Sequence, residues 1–237
     1  MSTLQTEGIV LQKIDYSESS LIIKLLTPDE GIQSFIFQGA KRKNKKGNLV
    51  SPMAVVSIEY FRRNDSALGK IRSLESALVF KQIPFDPYRS SVLFFMNEIV
   101  IKTVKDKSVD EDLYTFLRSM LEILDLSEKI ANFPIKFLYQ LTKYLGFYPQ
   151  IEPNGIYFDL QEGKFVKYEP NHPFYLNKKD SQLLLQLSKQ GFDSESELSL
   201  PLETRRKLLS DLLKYYQVII DNFEEVKSVA VLEASLH

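Results

Sequence analysis

The stretch Leu21-Ile22-Ile23-Lys24-Leu25-Leu26-Thr27-Pro28-Asp29-Glu30-Gly31-Ile32-Gln33-Ser34-Phe35-Ile36-Phe37-Gln38-Gly39 decides the fold of the N-terminal part. Two β-branched and aromatic runs flank Pro28-Asp29-Glu30-Gly31, a strong turn signal, so the segment reads as strand, turn, strand. Upstream, Gly8 to Ile14 is a further strand, joined to Leu21 by the turn-like Asp15-Tyr16-Ser17-Glu18-Ser19. Downstream, Val56 to Phe61 alternates apolar and polar residues as a half-buried strand should, and Leu68 to Leu74 follows the turn residues Asn64-Asp65-Ser66. Five short strands in succession predict a small Greek-key barrel of the OB-fold type over residues 1–80.

Between the third and fourth strands lies a charge anomaly. Five of the six residues from Lys41 to Lys46 are basic (Lys41, Arg42, Lys43, Lys45, Lys46), in a chain of net charge −1. Residues 1–76 carry 11 Lys and Arg against 8 Asp and Glu, which leaves 19 of the 30 basic and 23 of the 31 acidic residues for the rest. The near-neutral total thus conceals a basic head on an acidic body, the asymmetry expected of a protein with an anionic partner. Arg62 and Arg63, where a strand exits, and Lys70 and Arg72, two apart and so on one strand face, are the supporting cations. A phosphate-contacting surface is one reading of these nine residues; solvated turns and an exposed strand face that keep a barrel edge soluble are the other. Phe35 and Phe37 share one strand face and read as barrel core.

The pattern changes at Pro84-Phe85-Asp86-Pro87, beyond which apolar spacing follows the helical period, so residues 81–237 form a second, mainly helical domain. Ser90 or Ser91 is expected to cap a first helix bearing Met96, Val100 and Val104, and Asp110 a second with Leu113, Met120 and Leu124 inward. A third spans Phe133 to Leu145, with Pro134 in its first turn and Gly146 past its end. A β-hairpin at about 155–168 interrupts the helices, which resume at Lys179–Lys189 and Leu202–Phe223. Phe94-Phe95 and Tyr215-Tyr216 read as packing residues and His172 as an ordinary loop residue.

Much chemistry is excluded. Zero cysteines rule out disulfides and thiol catalysis and suit a reducing cytoplasm. With two histidines, His172 and His237, no zinc site of His and Cys ligands is expected. The opening Met1-Ser2-Thr3-Leu4-Gln5-Thr6-Glu7 has neither the basic nor the apolar region of a signal peptide, so none is expected. Apolar runs such as Val92 to Met96 are far short of a membrane span, and no membrane contact is expected. Asp110-Glu111-Asp112 reads as helix capping rather than a nuclease's metal site. No Gly-rich phosphate loop and no nucleophile with a partner base is present, so no enzymatic activity, catalytic residue or cofactor is expected.

Several segments, in order and spacing, carry a family resemblance: Thr6 to Leu11, Asp15 to Ser19, Leu26 to Gly31, Gln38-Gly39-Ala40-Lys41-Arg42, the turn Leu145-Gly146-Phe147-Tyr148-Pro149 after a helix, and Leu208 to Val231 with Lys227-Ser228. Together they resemble the bacterial RecO family of recombination mediators, over essentially the whole chain. The resemblance implies an N-terminal OB-fold and a helical C-terminal domain. It implies binding to single- and double-stranded DNA, strand annealing, and help in placing RecA on DNA coated by single-strand-binding protein. RecR and the acidic C-terminal tail of single-strand-binding protein are the implied direct partners, and the cytoplasmic nucleoid the implied location. The chain departs from the family in one respect. Many members carry a four-cysteine zinc motif after the Leu-Gly-aromatic-x-Pro turn, and Gln150 to Tyr175 here has no cysteine and one histidine. The hairpin is expected to replace the metal-stapled element by ordinary packing. An OB-fold scaffold that binds protein instead of DNA, and a metal-dependent nuclease, are the alternatives.

Overall fold

The computed structural model describes residues 3–41, 47–62, 68–104, 109–192 and 198–235. Five strands close a barrel: β1 (Leu4–Asp15), β2 (Leu21–Thr27), β3 (Gly31–Phe37), β4 (Val55–Phe61) and β5 (Leu68–Ser76). They pair around the barrel in the order β1-β2-β3-β5-β4, with β3 and β5 parallel and the other neighbours antiparallel. This is the OB-fold barrel expected from the alternation. β1 is long because it serves two neighbours. Leu4 to Ile9 pairs with β4 and Ile9 to Asp15 with β2, and a register shift between Val10 and Gln12 bends the strand from one to the other. That bulge also explains why Ile9, Val10 and Leu11 are all buried where strict alternation would expose one.

The interior is filled by Val10, Ile23, Leu25, Phe35, Ile58, Tyr60 and Ile71, with Ala40 and Val50 closing one end. Phe35 meets Tyr60 edge to face, ring centroids 5.0 Å apart. Phe35 and Phe37 are thus core, as their shared face implies.

The helices are α1 (Pro87–Thr103), α2 (Glu111–Leu126), α3 (Phe133–Tyr144), α4 (Lys178–Lys189), α5 (Leu202–Ile219) and α6 (Ser228–Ala234). Compactness does not follow chain order. One unit comprises Met1–Asp86 and Asn97–Asp125, the other Pro87–Met96 and Leu126–His237. Within the first unit, Glu7 on β1 accepts hydrogen bonds from Tyr114 Oη (2.8 Å) and Arg118 Nε (2.9 Å) on α2, so this helix keeps company with the barrel. Asp125 near its end accepts three backbone hydrogen bonds, from Lys81, Gln82 and Ile83 at 2.8 to 2.9 Å.

Several helix boundaries depart from the sequence reading. α1 begins at Pro87, not at Ser90 or Ser91: Asp86 before it is extended, and Ser91 is turned inward to donate to the Tyr88 carbonyl at 2.7 Å. Asp110 does cap α2, accepting from the Leu113 amide at 2.8 Å. α3 ends in a Schellman motif, with Gly146 at φ +85° and the Phe147 amide donating to Thr142 O at 3.0 Å. α5 stops at Ile219 because Ile220 is extended and Asn222 adopts a positive φ; Phe223 still reaches the Tyr216 ring, 5.6 Å away, without continuing the helix. The helix expected over Leu202–Phe223 therefore ends four residues early.

The hairpin at 155–168 is the centre of a four-stranded sheet, β6 (Gln150–Ile151), β7 (Tyr157–Asp159), β8 (Lys164–Val166) and β9 (Tyr175–Leu176), ordered β6-β8-β7-β9. Phe158 and Phe165 stack at 4.8 Å and Tyr215 of α5 meets Phe158 edge-on at 5.0 Å. Ser181 of α4 accepts from the Phe158 amide and donates to Leu176 O, at 2.8 and 2.9 Å. His172 is more than a loop residue. Its Nδ1 accepts from the Phe174 amide (3.2 Å), which leaves Nε2 to donate to buried Asp159 at 3.1 Å. Tyr215 and Tyr216 are buried, and so is Phe95, whereas Phe94 is exposed. Among the described residues no helix is long and apolar enough to cross a membrane.

Candidate nucleic-acid interface

Of the nine cations singled out by the sequence, Lys41, Arg62, Lys70 and Arg72 are described; Arg42, Lys43, Lys45, Lys46 and Arg63 lie outside the described residues. The four fall into two groups. Lys70 and Arg72 are exposed on β5, and the parallel ladder sets Lys70 level with Ile36, one residue before β3 ends. Arg72 follows toward the end of the barrel from which Gln38 to Lys41 departs. It is the extra residue of a bulge, since Glu59 pairs with Ser73 and Tyr60 with Ile71.

Lys41 is fixed where it leaves that end. Its amide donates to Ser19 O (3.3 Å), and its ammonium meets Asp15 Oδ1 (2.8 Å) and Ser17 O (3.2 Å), all on the β1–β2 turn. The ammonium's hydrogen bond and charge hold the Asp15 carboxyl below the usual carboxylate range. The chain leaves and rejoins the barrel at one point. A Cβ on Gly47 would lie 2.3 Å from the Ala40 carbonyl oxygen, so only glycine permits the approach. The basic stretch thus has both its roots, buried Ala40 and half-buried Gly47, held against each other at the barrel end.

Arg62 sits elsewhere. It forms an ion pair with Glu30 on the β2–β3 turn, reaches Gln33 Oε1 at 3.3 Å, and lies 5.7 and 5.2 Å from the Phe35 and Tyr60 ring centroids. The two turns that hold Lys41 and Arg62 are at opposite ends of β2, roughly 20 Å apart at the rise of a strand. The structure ties Lys41 to the β1–β2 turn and Arg62 to the β2–β3 turn and the Phe35 and Tyr60 rings; Lys70 pairs with Phe61, beside Arg62, and Arg72 lies further along β5 toward the Lys41 end.

The same site contains residues that sequence reading passed over. Asp15 is the counter-charge of Lys41, and Tyr16 beside it is 62% exposed. The turn signal around them was visible; their proximity to Lys41, 26 residues on from Asp15 in the numbering, was not. Among the described residues no group of three or more His, Cys, Asp or Glu side chains is arranged to hold a metal ion.

Comparison with known proteins matches residues 1–80 to the family described as Recombination protein O N terminal and residues 84–222 to Recombination protein O C terminal. The chain is a member of the RecO family. Among RecO relatives, the DNA repair protein RecO of Flavobacterium psychrophilum is 32% identical over 235 residues, covering 97% of this chain and 98% of that one. The DNA repair protein RecO of Flavobacterium johnsoniae is 28% identical with the same coverage, and that of Bacteroides fragilis 28% identical over 97% of each chain. Among solved structures, an asparaginyl-tRNA synthetase of Entamoeba histolytica overlays 66% of this chain and 35% of its own at a TM-score of 0.28 and 8% identity, too slight a likeness to bear on the site. The RecO barrel, matched over its full length, is the part that carries the basic stretch.

Proposed function

We propose that this RecO-family chain acts in DNA repair as a non-enzymatic recombination mediator, with residues 1–80 as the DNA-binding domain and 81–237 as a body that docks protein partners. The observation that carries the reading is the combination of a closed OB-fold barrel with a basic stretch whose two ends are pinned at Ala40 and Gly47. Lys41, Arg42, Lys43, Lys45 and Lys46 neutralise backbone phosphates, aided by Lys70 and Arg72 on the exposed face of β5. Arg63 adds to them, and Arg62 contributes less because its guanidinium is shared with Glu30.

Each phosphate neutralised releases counterions, which favours binding without regard to sequence and makes it steeply sensitive to salt. Annealing follows from the same electrostatics, because neutralising two strands at once removes their mutual repulsion. No bond is made or broken. By family, the partners are single- and double-stranded DNA, RecR, the C-terminal tail of single-strand-binding protein and, indirectly, RecA, and the site of action is the cytoplasmic nucleoid.

The test is a mobility-shift and annealing assay with complementary oligonucleotides, in chelator and without nucleotide. Shifted single and double strands and accelerated annealing are expected. Absence of any shift, with RecR still bound, would instead make the barrel a protein scaffold, and cleavage on adding magnesium would make the protein a nuclease.

A further inference from the structure

The barrel must present something besides charge if it is to tell single strands from duplex, because phosphates are common to both. Bases stacked on aromatic side chains supply that distinction, and stacking tolerates every sequence because every base has a π-face. The aromatic residues of the strands are poorly available for it. Phe35, Phe37 and Tyr60 are 0, 2 and 4% exposed, and Phe61 is half-buried. Among the described barrel residues Tyr16 alone is an exposed aromatic, and no hydrogen bond or ring contact among those residues holds its side chain.

Its backbone is nonetheless well held. The Tyr16 amide donates to Ser20 O at 3.1 Å, the Ser17 amide to the same oxygen at 3.3 Å, and the Ser20 amide to Ser17 Oγ at 3.1 Å. Lys41, the first residue of the basic stretch, makes its three contacts to this same turn, through Asp15, Ser17 and Ser19. An unpartnered ring is therefore carried on a preorganised turn that is fastened to the root of the cationic stretch. Exposed Lys13 precedes it and exposed Glu18 follows; the second carboxylate of the turn, Asp15, is already neutralised by Lys41.

We propose that Tyr16 is a base-stacking residue for single-stranded nucleic acid, and that the Asp15–Lys41 pair is a positioning latch that ties the ring's turn to Lys41, where the basic stretch begins. The proposal rests on the DNA-binding reading above and assigns to it the contact that favours unpaired bases. Lys41 then has two roles, a share in phosphate neutralisation and the tie between the turn and the start of the basic stretch.

The experiment measures fluorescence anisotropy of two labelled oligonucleotides of equal length, one all-thymine and one abasic, with the full-length protein and its Tyr16→Ala and Tyr16→Phe variants across a range of salt. Wild type is expected to prefer the thymine strand. Tyr16→Ala should weaken thymine binding by roughly 5- to 100-fold, erase the preference, and leave the salt slope and abasic affinity unchanged. Tyr16→Phe should retain the preference. Because the residue is exposed, thermal unfolding of Tyr16→Ala should match wild type. A Tyr16→Ala variant that still prefers thymine to the wild-type extent overturns the stacking role while leaving the electrostatic reading intact. A wild type that binds neither strand overturns both.

Discussion

The two ends of the barrel present the same pair of groups, a cation against a carboxylate, and put them to different uses. At one end Arg62 meets Glu30 over the rings of Phe35 and Tyr60, with 19% of its side chain exposed. At the other, Lys41 and Asp15 stand at 36% and 78% exposure beside an unpacked tyrosine. The first pair is part of the wall that closes the core. The second is a surface tie between a turn and the basic stretch, and surface ion pairs add little stability. An acid and a base in contact do not declare a role; burial and aromatic surroundings do.

The comparison can be broken at several points. The largest effect is expected at the closed end, where Phe35→Ala should lower the free energy of unfolding in urea by about 3–5 kcal/mol while the folded fraction keeps its DNA salt dependence. At the open end, Gly47→Ala would drive a Cβ to 2.3 Å from the Ala40 carbonyl oxygen. Because that neighbour is backbone, a loss of about 1–3 kcal/mol together with weaker DNA binding is expected, and normal values for both would show that the two roots can part freely.

Arg62→Ala should cost about 1 kcal/mol and leave the salt slope as it is. Lys70→Ala and Arg72→Ala should do the reverse, each reducing the slope by roughly 0.7 to 1 with unfolding unchanged within about 0.5 kcal/mol. Exchange of these two behaviours would reverse the roles given to Arg62 and to the β5 cations.

The smallest effect is the titration of Asp15 followed by NMR. Lys41 lowers its folded value below the ordinary one of about 3.9. The latch is therefore fully formed above the ordinary value and is lost as pH falls through the lowered one. Lys41→Ala should move the midpoint up toward the ordinary value, with Lys13 keeping the smallest part of the lowering; a midpoint that does not move would contradict the Asp15–Lys41 pair.

Strand and helix identity was readable where the chain has a period. Leu21 to Thr27 is bounded by turn residues and emerges with those limits, and Asp110 announces α2 by its capping chemistry. What failed to show had no period. The two-residue strands β6 and β9 gain their place only by pairing with β8 and β7, so the sequence offered a hairpin where a four-stranded sheet forms. The apolar stripe of α5 runs on to Phe223, which completes its contact from non-helical chain. For the site, charge density found the basic stretch, but charge carries no register. That Arg62 belongs to the β2–β3 turn and Lys41 to the β1–β2 turn follows from how β2 separates them, which is a property of the closed barrel.

The central claim, that DNA meets the barrel at the Lys41 end, is tested most directly by the salt dependence of single-strand binding for wild type, for Arg62→Ala, and for a variant neutralised at Lys41, Arg42, Lys43, Lys45 and Lys46. The account predicts that the neutralised variant loses affinity by about 10²- to 10³-fold and that its slope of log affinity against log salt is shallower by roughly 3, while Arg62→Ala retains the wild-type slope. An unchanged slope and affinity in the neutralised variant would contradict it.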